Sequence, residues 1–76
     1  MSDTSQSQSQ FEIQLNGRPQ RMAAGTSLAE LLDALGVPRR GVAVELDGAL
    51  VPAGRLDQVV PTAGQRLEVV RLVGGG

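Results

Sequence analysis

Residues 66–76 read RLEVVRLVGGG, an apolar run that passes directly into three glycines. Apolar and polar residues alternate early in the run, and valine and leucine dominate it as far as Val73, which is typical of a β-strand. Glycine has no side chain, so residues 74–76 cannot pack or favour one backbone conformation. We therefore expect a strand that leads into a flexible thread with a free α-carboxylate on Gly76.

The Gly76 carboxylate is notable because the sequence lacks the residue types that most often do chemistry. The chain has no cysteine, histidine, lysine or tyrosine. This excludes a nucleophilic cysteine, zinc held by cysteine and histidine, histidine acid–base catalysis and a lysine Schiff base. Serine, threonine, arginine and carboxylates remain, with no cluster of metal ligands, so we predict no metal site. Among these groups the terminal carboxylate is the candidate reactive group, because it lies at the end of a flexible thread.

Size and charge narrow the class of protein. A chain of 76 residues forms one small domain. Seven basic residues, all arginine, and eight acidic ones give a net charge of -1, which disfavours nucleic acid as a partner.

No stretch approaches the ~20 apolar residues of a membrane helix, and no secretion signal precedes the domain, so we expect a cytoplasmic protein without a membrane partner. The Ser/Gln-rich residues 1–10 are predicted to be a disordered leader before a domain at residues 11–73.

Upstream of the last strand, the chain first predicts a hairpin. Apolar and polar residues alternate from Phe11 to Leu15, and Asn16-Gly17 is a strong signal for a tight turn into a second, edge strand at residues 20–23. Phe11 is the only aromatic residue, and we expect it in the core.

A short amphipathic helix follows at residues 28–35. Ser27 and Glu30 have the spacing of a capping box, and leucines at 28, 31, 32 and 35 form one apolar stripe. Gly36 and then Pro38 end the helix.

Charged residues on and after this helix are expected to face solvent. Glu30 and Asp33 are paired carboxylates that could suggest acid–base work, but they lie opposite the leucine stripe. Arg39 and Arg40 are expected in a hydrated loop, where a role in meeting an acidic partner has little support.

The next segment predicts a second hairpin and a loop. Residues 41–46 read as a strand, Asp47-Gly48 as a tight turn, and Leu50-Val51 as a short strand closed by proline. Residues 53–64 are irregular, with apolar residues expected to pin this loop to the core: Leu56, Val59 and Val60.

These elements predict an α+β fold, the ubiquitin-like β-grasp. Two hairpin strands followed by a crossover helix return the chain to the other side of the first strand. The last strand can then lie beside the first, in the middle of a mixed sheet of four to five strands packed on one short helix.

The last strand also has more apolar residues than one buried face needs. If Leu67 and Val69 face the helix, Val70 and Leu72 point to the opposite, otherwise polar face. Exposed apolar groups beside a flexible tail predict a partner-docking surface that includes Val70 and Leu72, although isolated exposed apolar residues are also ordinary.

Three stretches resemble the ThiS family, the sulfur-carrier proteins of thiamine (thiazole) biosynthesis. They are SLAELL at residues 27–32, GVAVELDGALVP at residues 41–52, and RLEVV at residues 66–70 together with the terminal glycines. The resemblance extends from Phe11 to Gly76. The central stretch and the tail are its most specific parts, with Gly75-Gly76 matching the family's terminal pair.

The resemblance implies a mechanism in which the chain is a co-substrate and has no catalytic residue of its own. An ATP-dependent adenylyltransferase would activate the Gly76 carboxylate as an acyl-adenylate, so ATP is used by the partner and no cofactor is bound here. A sulfurtransferase or cysteine desulfurase would supply a persulfide that leaves a thiocarboxylate, and thiazole synthase would receive the sulfur. Residues 70–73 would dock the domain on its partners: Val70, Arg71, Leu72 and Val73. Gly74 and Gly75 would thread the partner's active site.

Three other functions fit the same residues. A molybdopterin-type sulfur carrier shares the chemistry but has another acceptor. A ubiquitin-like modifier would form isopeptide bonds through Gly76. A plain interaction domain would have an inert tail.

Overall fold

The structure, a computed structural model, describes residues 9–72. Residues 1–8 and 73–76 lie outside the described part. The predicted leader up to residue 8, the predicted docking residue Val73 and the glycines 74–76 therefore lie outside it. No helix among the described residues is long and apolar enough to cross a membrane.

Within residues 9–72 the elements follow the predicted order. They are β1 (Gln10–Leu15), β2 (Arg18–Ala23), α1 (Leu28–Ala34), β3 (Val42–Leu46), β4 (Ala49–Val51) and β5 (Arg66–Arg71). A 3-10 turn at Ala53–Arg55 adds one regular element to the loop that we expected to be irregular. The strand β1 includes Gln10, one residue earlier than predicted, because Gln10 pairs with Ala23.

The sheet has the strand order β2-β1-β5-β3-β4. The last strand of the sequence is therefore the central strand of the sheet. It runs parallel to β1 and antiparallel to β3, whereas the two hairpins β1–β2 and β3–β4 are antiparallel. This topology, with one helix across the sheet, confirms the predicted α+β β-grasp.

The core lies between α1 and the face of the sheet that α1 covers. Its buried apolar side chains come from the helix, from four strands and from the loop before β5: Ile13, Met22, Leu28, Ala29, Leu31, Leu32, Val44, Leu56 and Leu67. The helical leucine spacing places three leucines in this set, whereas Leu35 follows the helix and stays partly exposed.

Two predicted core positions need correction. Phe11 lies near the start of β1 and is only partly buried at the margin of the core. In the loop before β5, Val59 is half-buried and Pro61 is fully buried, while Val60 between them is exposed. Burial thus alternates along this loop, so only one of the two valines helps to anchor it.

Side-chain hydrogen bonds define the start of α1 as predicted. The Ser27 hydroxyl oxygen accepts the Glu30 backbone N–H at 3.1 Å, and a Glu30 carboxylate oxygen accepts the Ser27 backbone N–H at 2.9 Å. At the other end, Gly36 has a φ of 73°, the left-handed conformation that glycine adopts most easily. Asp33 lies 3.7 Å from Arg39 in an exposed ion pair, which contributes little to stability.

Candidate functional site

The central strand β5 divides its side chains between two faces of the sheet. Leu67 is 1% exposed and packs in the core, and Val69 is packed against the core. Val70 is 51% exposed and Leu72 is 57% exposed. The alternation of the strand places Val70 on the face that the helix leaves uncovered, which we call the outer face.

The outer face around Val70 combines apolar and acidic groups. Ala43 lies directly opposite Val70, and Glu45 lies opposite Glu68. On the next strand, Leu50 lies opposite Glu45 and is 65% exposed. Two like charges directly opposite each other destabilise a sheet slightly, and Arg66 lines the same pocket as these two carboxylates.

Arg71 does not share the outer face with Val70. It follows the phase of Leu67 and Val69 and pairs with Val42 of β3. It lines a groove of about 200 Å³ on the helix side, whose other walls are mostly apolar: Leu15, Asn16, Leu32, Leu35, Val37, Val42 and Val69. Of the four predicted docking residues, the structure brings Val70 and Leu72 together, places Arg71 on the helix side, and leaves Val73 outside the described residues.

The first residue of β5 is held by the turn between β3 and β4. The Asp47 carboxylate accepts the Arg66 backbone N–H at 2.8 Å and the Gln65 side-chain N–H at 2.9 Å. The Asp47 backbone N–H donates to the Arg66 carbonyl at 2.7 Å. The hydrogen bond from the Arg66 backbone, followed by that from Gln65, lowers the pKa of Asp47 below its ordinary value of 3.8.

The second half of β5 is held by the turn between β1 and β2. The Asn16 side-chain oxygen accepts the Val69 backbone N–H at 2.8 Å, and the Asn16 side-chain nitrogen donates to the Val69 carbonyl at 3.3 Å. The Leu72 backbone N–H donates to the Gly41 carbonyl at 2.7 Å, so pairing with the segment before β3 continues past the end of β5.

The sequence identified Asn16 and Asp47 only as turn residues. Both have a φ of 51°, the left-handed conformation that Asn-Gly and Asp-Gly turns require. Their contacts with β5 join residues 53 and 19 positions apart in the chain. The only signal in the sequence was the choice of residue, because both side chains can bind a backbone group while their own backbone turns.

The described residues hold no cluster suited to a metal. Between residues 9 and 72, no three His, Cys, Asp or Glu side chains are close enough to share an ion. The candidate reactive group, the carboxylate of Gly76, lies outside the described residues, as do Gly74 and Gly75. The structure thus describes the body that would carry this group and the strand that leads to it.

Comparison with known proteins identifies the family. The model of the ThiS family matches residues 13–76. The chain belongs to the ThiS family. This confirms the resemblance that the sequence showed.

Solved structures of a ThiS protein have the same fold. The crystal structure of the thiamine biosynthesis protein ThiS from Geobacter metallireducens superposes with a TM-score of 0.72 at 30% identity, covering 87% of this chain and 100% of that one. An NMR structure of a thiamine biosynthesis protein from the same organism gives a TM-score of 0.68 at 29% identity, covering 87% and 88% of the two chains.

Relatives of this ThiS-family chain include two much longer proteins. A thiazole synthase of Magnetococcus marinus is 43% identical over 66 residues, and one of Paramagnetospirillum magneticum is 37% identical over 66 residues. Each match covers 87% of this chain and 20% of the relative, so the chain spans about a fifth of their length. The uncharacterized protein ycf40 of Pyropia yezoensis is 37% identical over 68 residues, which is 90% of this chain and 96% of that protein.

Proposed function

We propose that this chain carries sulfur as a thiocarboxylate on Gly76, in the cytoplasm, and delivers it for thiazole formation. The observation that carries the proposal is the extent of the family match, which runs from residue 13 to Gly76 and so includes the glycine tail. The composition agrees, because no cysteine or lysine side chain is present that could carry the sulfur or the acyl group instead.

The proposed reaction takes place at the terminal carboxyl group in three steps. A carboxylate oxygen attacks the α-phosphorus of ATP, which forms the acyl-adenylate and releases pyrophosphate. The outer sulfur of a persulfide on a sulfurtransferase or cysteine desulfurase then attacks the acyl carbon, and AMP leaves. A second thiol cleaves the resulting S–S bond, which yields the thiocarboxylate and a disulfide.

The two parts of the chain have separate tasks in this function. Val70 and Leu72 dock the domain on its partners through the outer face, with Arg71 contributing from the helix side. Their exposure supports this assignment, since large apolar side chains on an open sheet face are candidates for a protein contact. Gly74 and Gly75 thread the partner's active site, because a chain without Cβ atoms fits a narrow channel and leaves the carbonyl of Gly76 open to attack.

Three kinds of partner follow from these steps. An ATP-dependent adenylyltransferase activates the carboxylate, a sulfurtransferase or cysteine desulfurase supplies sulfur, and thiazole synthase consumes it. The relatives named thiazole synthase support the last assignment, because each contains a segment that matches 87% of this chain. A carrier joined to its acceptor in one polypeptide fits a direct transfer between them.

Intact mass spectrometry tests the proposal. The protein is incubated with ATP, an adenylyltransferase and a persulfide donor, and fragmentation then locates any change. We expect replacement of one oxygen by sulfur at Gly76, and no change in a variant that ends at Gly74. An unmodified terminus, under conditions that charge a ThiS protein of known activity, would contradict the proposal.

Further experiments distinguish the proposed function from the three alternative functions. Charged protein is offered to thiazole synthase and to the large subunit of molybdopterin synthase, and we expect sulfur transfer to the first. Transfer only to the second would indicate a molybdopterin-type carrier. A ladder of covalent conjugates in cell extracts would indicate a ubiquitin-like modifier, and unchanged function after deletion of Gly75 and Gly76 would indicate an inert tail.

A further inference from the structure

The side chain of Asn16 completes the hydrogen bonding of β5 at the point where β1 ends. The strand β1 ends at Leu15, which lies opposite Leu67. The Asn16 backbone N–H donates to the Leu67 carbonyl at 2.8 Å, and the chain then reverses direction. The next backbone groups of β5 on this side belong to Val69, two residues further along, because the groups of a strand alternate between its two edges.

A primary amide can replace a missing strand residue there because it offers one acceptor and a donor, as a peptide group does. The Asn16 amide uses both, with contacts of 2.8 Å and 3.3 Å to the N–H and the carbonyl of Val69. Glycine would also fit the φ of 51° at this position but has no side chain. Aspartate would lack the donor.

This contact supports the segment that precedes the tail. Beyond Val69, the described chain pairs on the β3 side, through Arg71 opposite Val42 and through the Leu72 N–H to Gly41. We propose that Asn16 is a positioning residue: by fixing the backbone of Val69 it holds residues 70–72 extended, so that Val70 and Leu72 are presented together to a partner protein. The docking part of this inference rests on the proposed function.

Preorganisation is the physical reason why such a contact affects docking. A strand end that frays must be ordered when the partner binds, and the lost conformational freedom weakens the affinity. A strand end that is already held does not incur this cost. Asn16 therefore acts on partner binding through Val69, without contacting the partner itself.

The turn residue Asp47 provides a matched control. Like Asn16 it has a φ of 51°, precedes a glycine and binds the backbone of β5 with its side chain, but it does so at Arg66, the first residue of the strand. Asn16→Gly and Asp47→Gly each create a Gly-Gly turn and each remove one side chain that holds β5. They release β5 at different residues, Val69 in the first variant and Arg66 in the second, and Asp47→Gly also removes a charge and a contact with the Gln65 side chain.

Amide hydrogen exchange of the free protein tests the hold on the strand. In Asn16→Gly we expect the Val69 amide to exchange about three- to tenfold faster relative to the amides of α1, with the Arg66 amide unchanged. In Asp47→Gly we expect the Arg66 amide to exchange faster relative to the amides of α1, with the Val69 amide unchanged. An unchanged Val69 amide in Asn16→Gly would overturn the inference, and this result does not depend on the protein's function.

Charging kinetics test the effect on docking. With an adenylyltransferase, ATP and a persulfide donor, we expect Asn16→Gly to raise the KM for the carrier about three- to tenfold at unchanged kcat. Asn16→Asp keeps the acceptor for the Val69 N–H but loses the donor to the Val69 carbonyl, so its KM should lie between those of Asn16→Gly and the wild type. Asp47→Gly should keep the wild-type KM. Equal KM values for Asn16→Gly and the wild type, or an equal rise in both glycine variants, would overturn the inference. A wild-type chain that is not charged would instead overturn the proposed function, and hydrogen exchange would still decide whether Asn16 holds the strand.

Discussion

At the scale of single residues, Asp47 links the stability of the fold to pH. Its carboxylate accepts the Arg66 backbone N–H at 2.8 Å, and this contact lowers its pKa below the ordinary value of 3.8. A group with a lowered pKa in the folded state stabilises the fold above its unfolded-state pKa, and this contribution disappears as pH falls through the folded-state pKa.

We therefore expect Asp47→Asn to be less stable than the wild type at neutral pH and to lose that difference in acid. Asparagine keeps the shape and one acceptor oxygen but not the charge. Urea unfolding of both proteins at a series of pH values measures the difference in free energy of unfolding. This difference should be constant above about pH 5 and should shrink as pH falls below 3.8. A difference that is independent of pH would show that the Asp47 charge does not contribute.

The residue scale is also where the sequence was least informative. Asn-Gly and Asp-Gly predicted two tight turns, and both turns are present. The pattern gave no reason to expect that the Asn16 side chain binds Val69 or that the Asp47 side chain binds Arg66. Such contacts depend on which strand lies beside the turn, and this is decided only when the whole sheet is assembled.

At the scale of secondary structure elements, the start of α1 depends on the Ser27–Glu30 capping box. The Ser27 hydroxyl oxygen accepts a helix N–H that has no partner within the helix. We expect Ser27→Ala to lower the free energy of unfolding by about 0.5–2 kcal/mol and Ser27→Thr to lower it less, since threonine also caps helices. Thermal unfolding followed by circular dichroism measures both. Equal losses in the two variants would indicate that the burial of Ser27, and not its hydrogen bond, is what matters.

The two faces of β5 should respond differently to substitution. Leu67 is 1% exposed, so Leu67→Ala leaves a cavity in the core and is expected to lower the free energy of unfolding by about 2–5 kcal/mol. Val70 is 51% exposed, and Val70→Ala should change the free energy of unfolding by no more than about 0.5 kcal/mol. Chemical denaturation of the two variants measures both effects. A large loss for Val70→Ala would mean that the outer face is part of the stabilising core and is not free for a partner.

Elements with a regular pattern could be predicted closely from the sequence. The helix and the two hairpins follow from leucine spacing, alternation and turn residues that act over a few positions, and local rules suffice for these. The loop before β5 has no such period. Its exposed Val60 and buried Pro61 are set by the surface on which the loop lies, so the prediction for Val60 was wrong.

At the scale of the whole molecule, the strand order followed from a small set of possible topologies. Two hairpins and a crossover helix leave the centre of the sheet as the place where the last strand can pair on both sides, and the order β2-β1-β5-β3-β4 agrees. The side chains of β5 could be assigned to faces by alternation, which also accounts for the position of Arg71 on the helix side. The docking roles of Val70, Arg71 and Leu72 stay predictions. The roles of the tail and of Val73 stay predictions.

The division into a docking body and a reactive tail makes a prediction about the molecule as a whole. A variant that ends at Gly74 keeps the outer face but has no terminus that reaches the partner's active site. We expect it to inhibit the charging of full-length protein by an adenylyltransferase, and to do so competitively, because both chains occupy the same docking surface. Steady-state kinetics at several concentrations of full-length protein measure this: the KM should rise with inhibitor while kcat stays constant.

The matched control is the same shortened chain with Val70→Asp. This substitution places a charge at a position that is 51% exposed, so the fold should be retained, while a charged group at an apolar contact should abolish the inhibition. Inhibition that survives Val70→Asp would place the docking surface elsewhere on the body. If the shortened chain does not inhibit at all, binding must depend on Gly75 and Gly76 themselves, and the outer face would then contribute little to recognition.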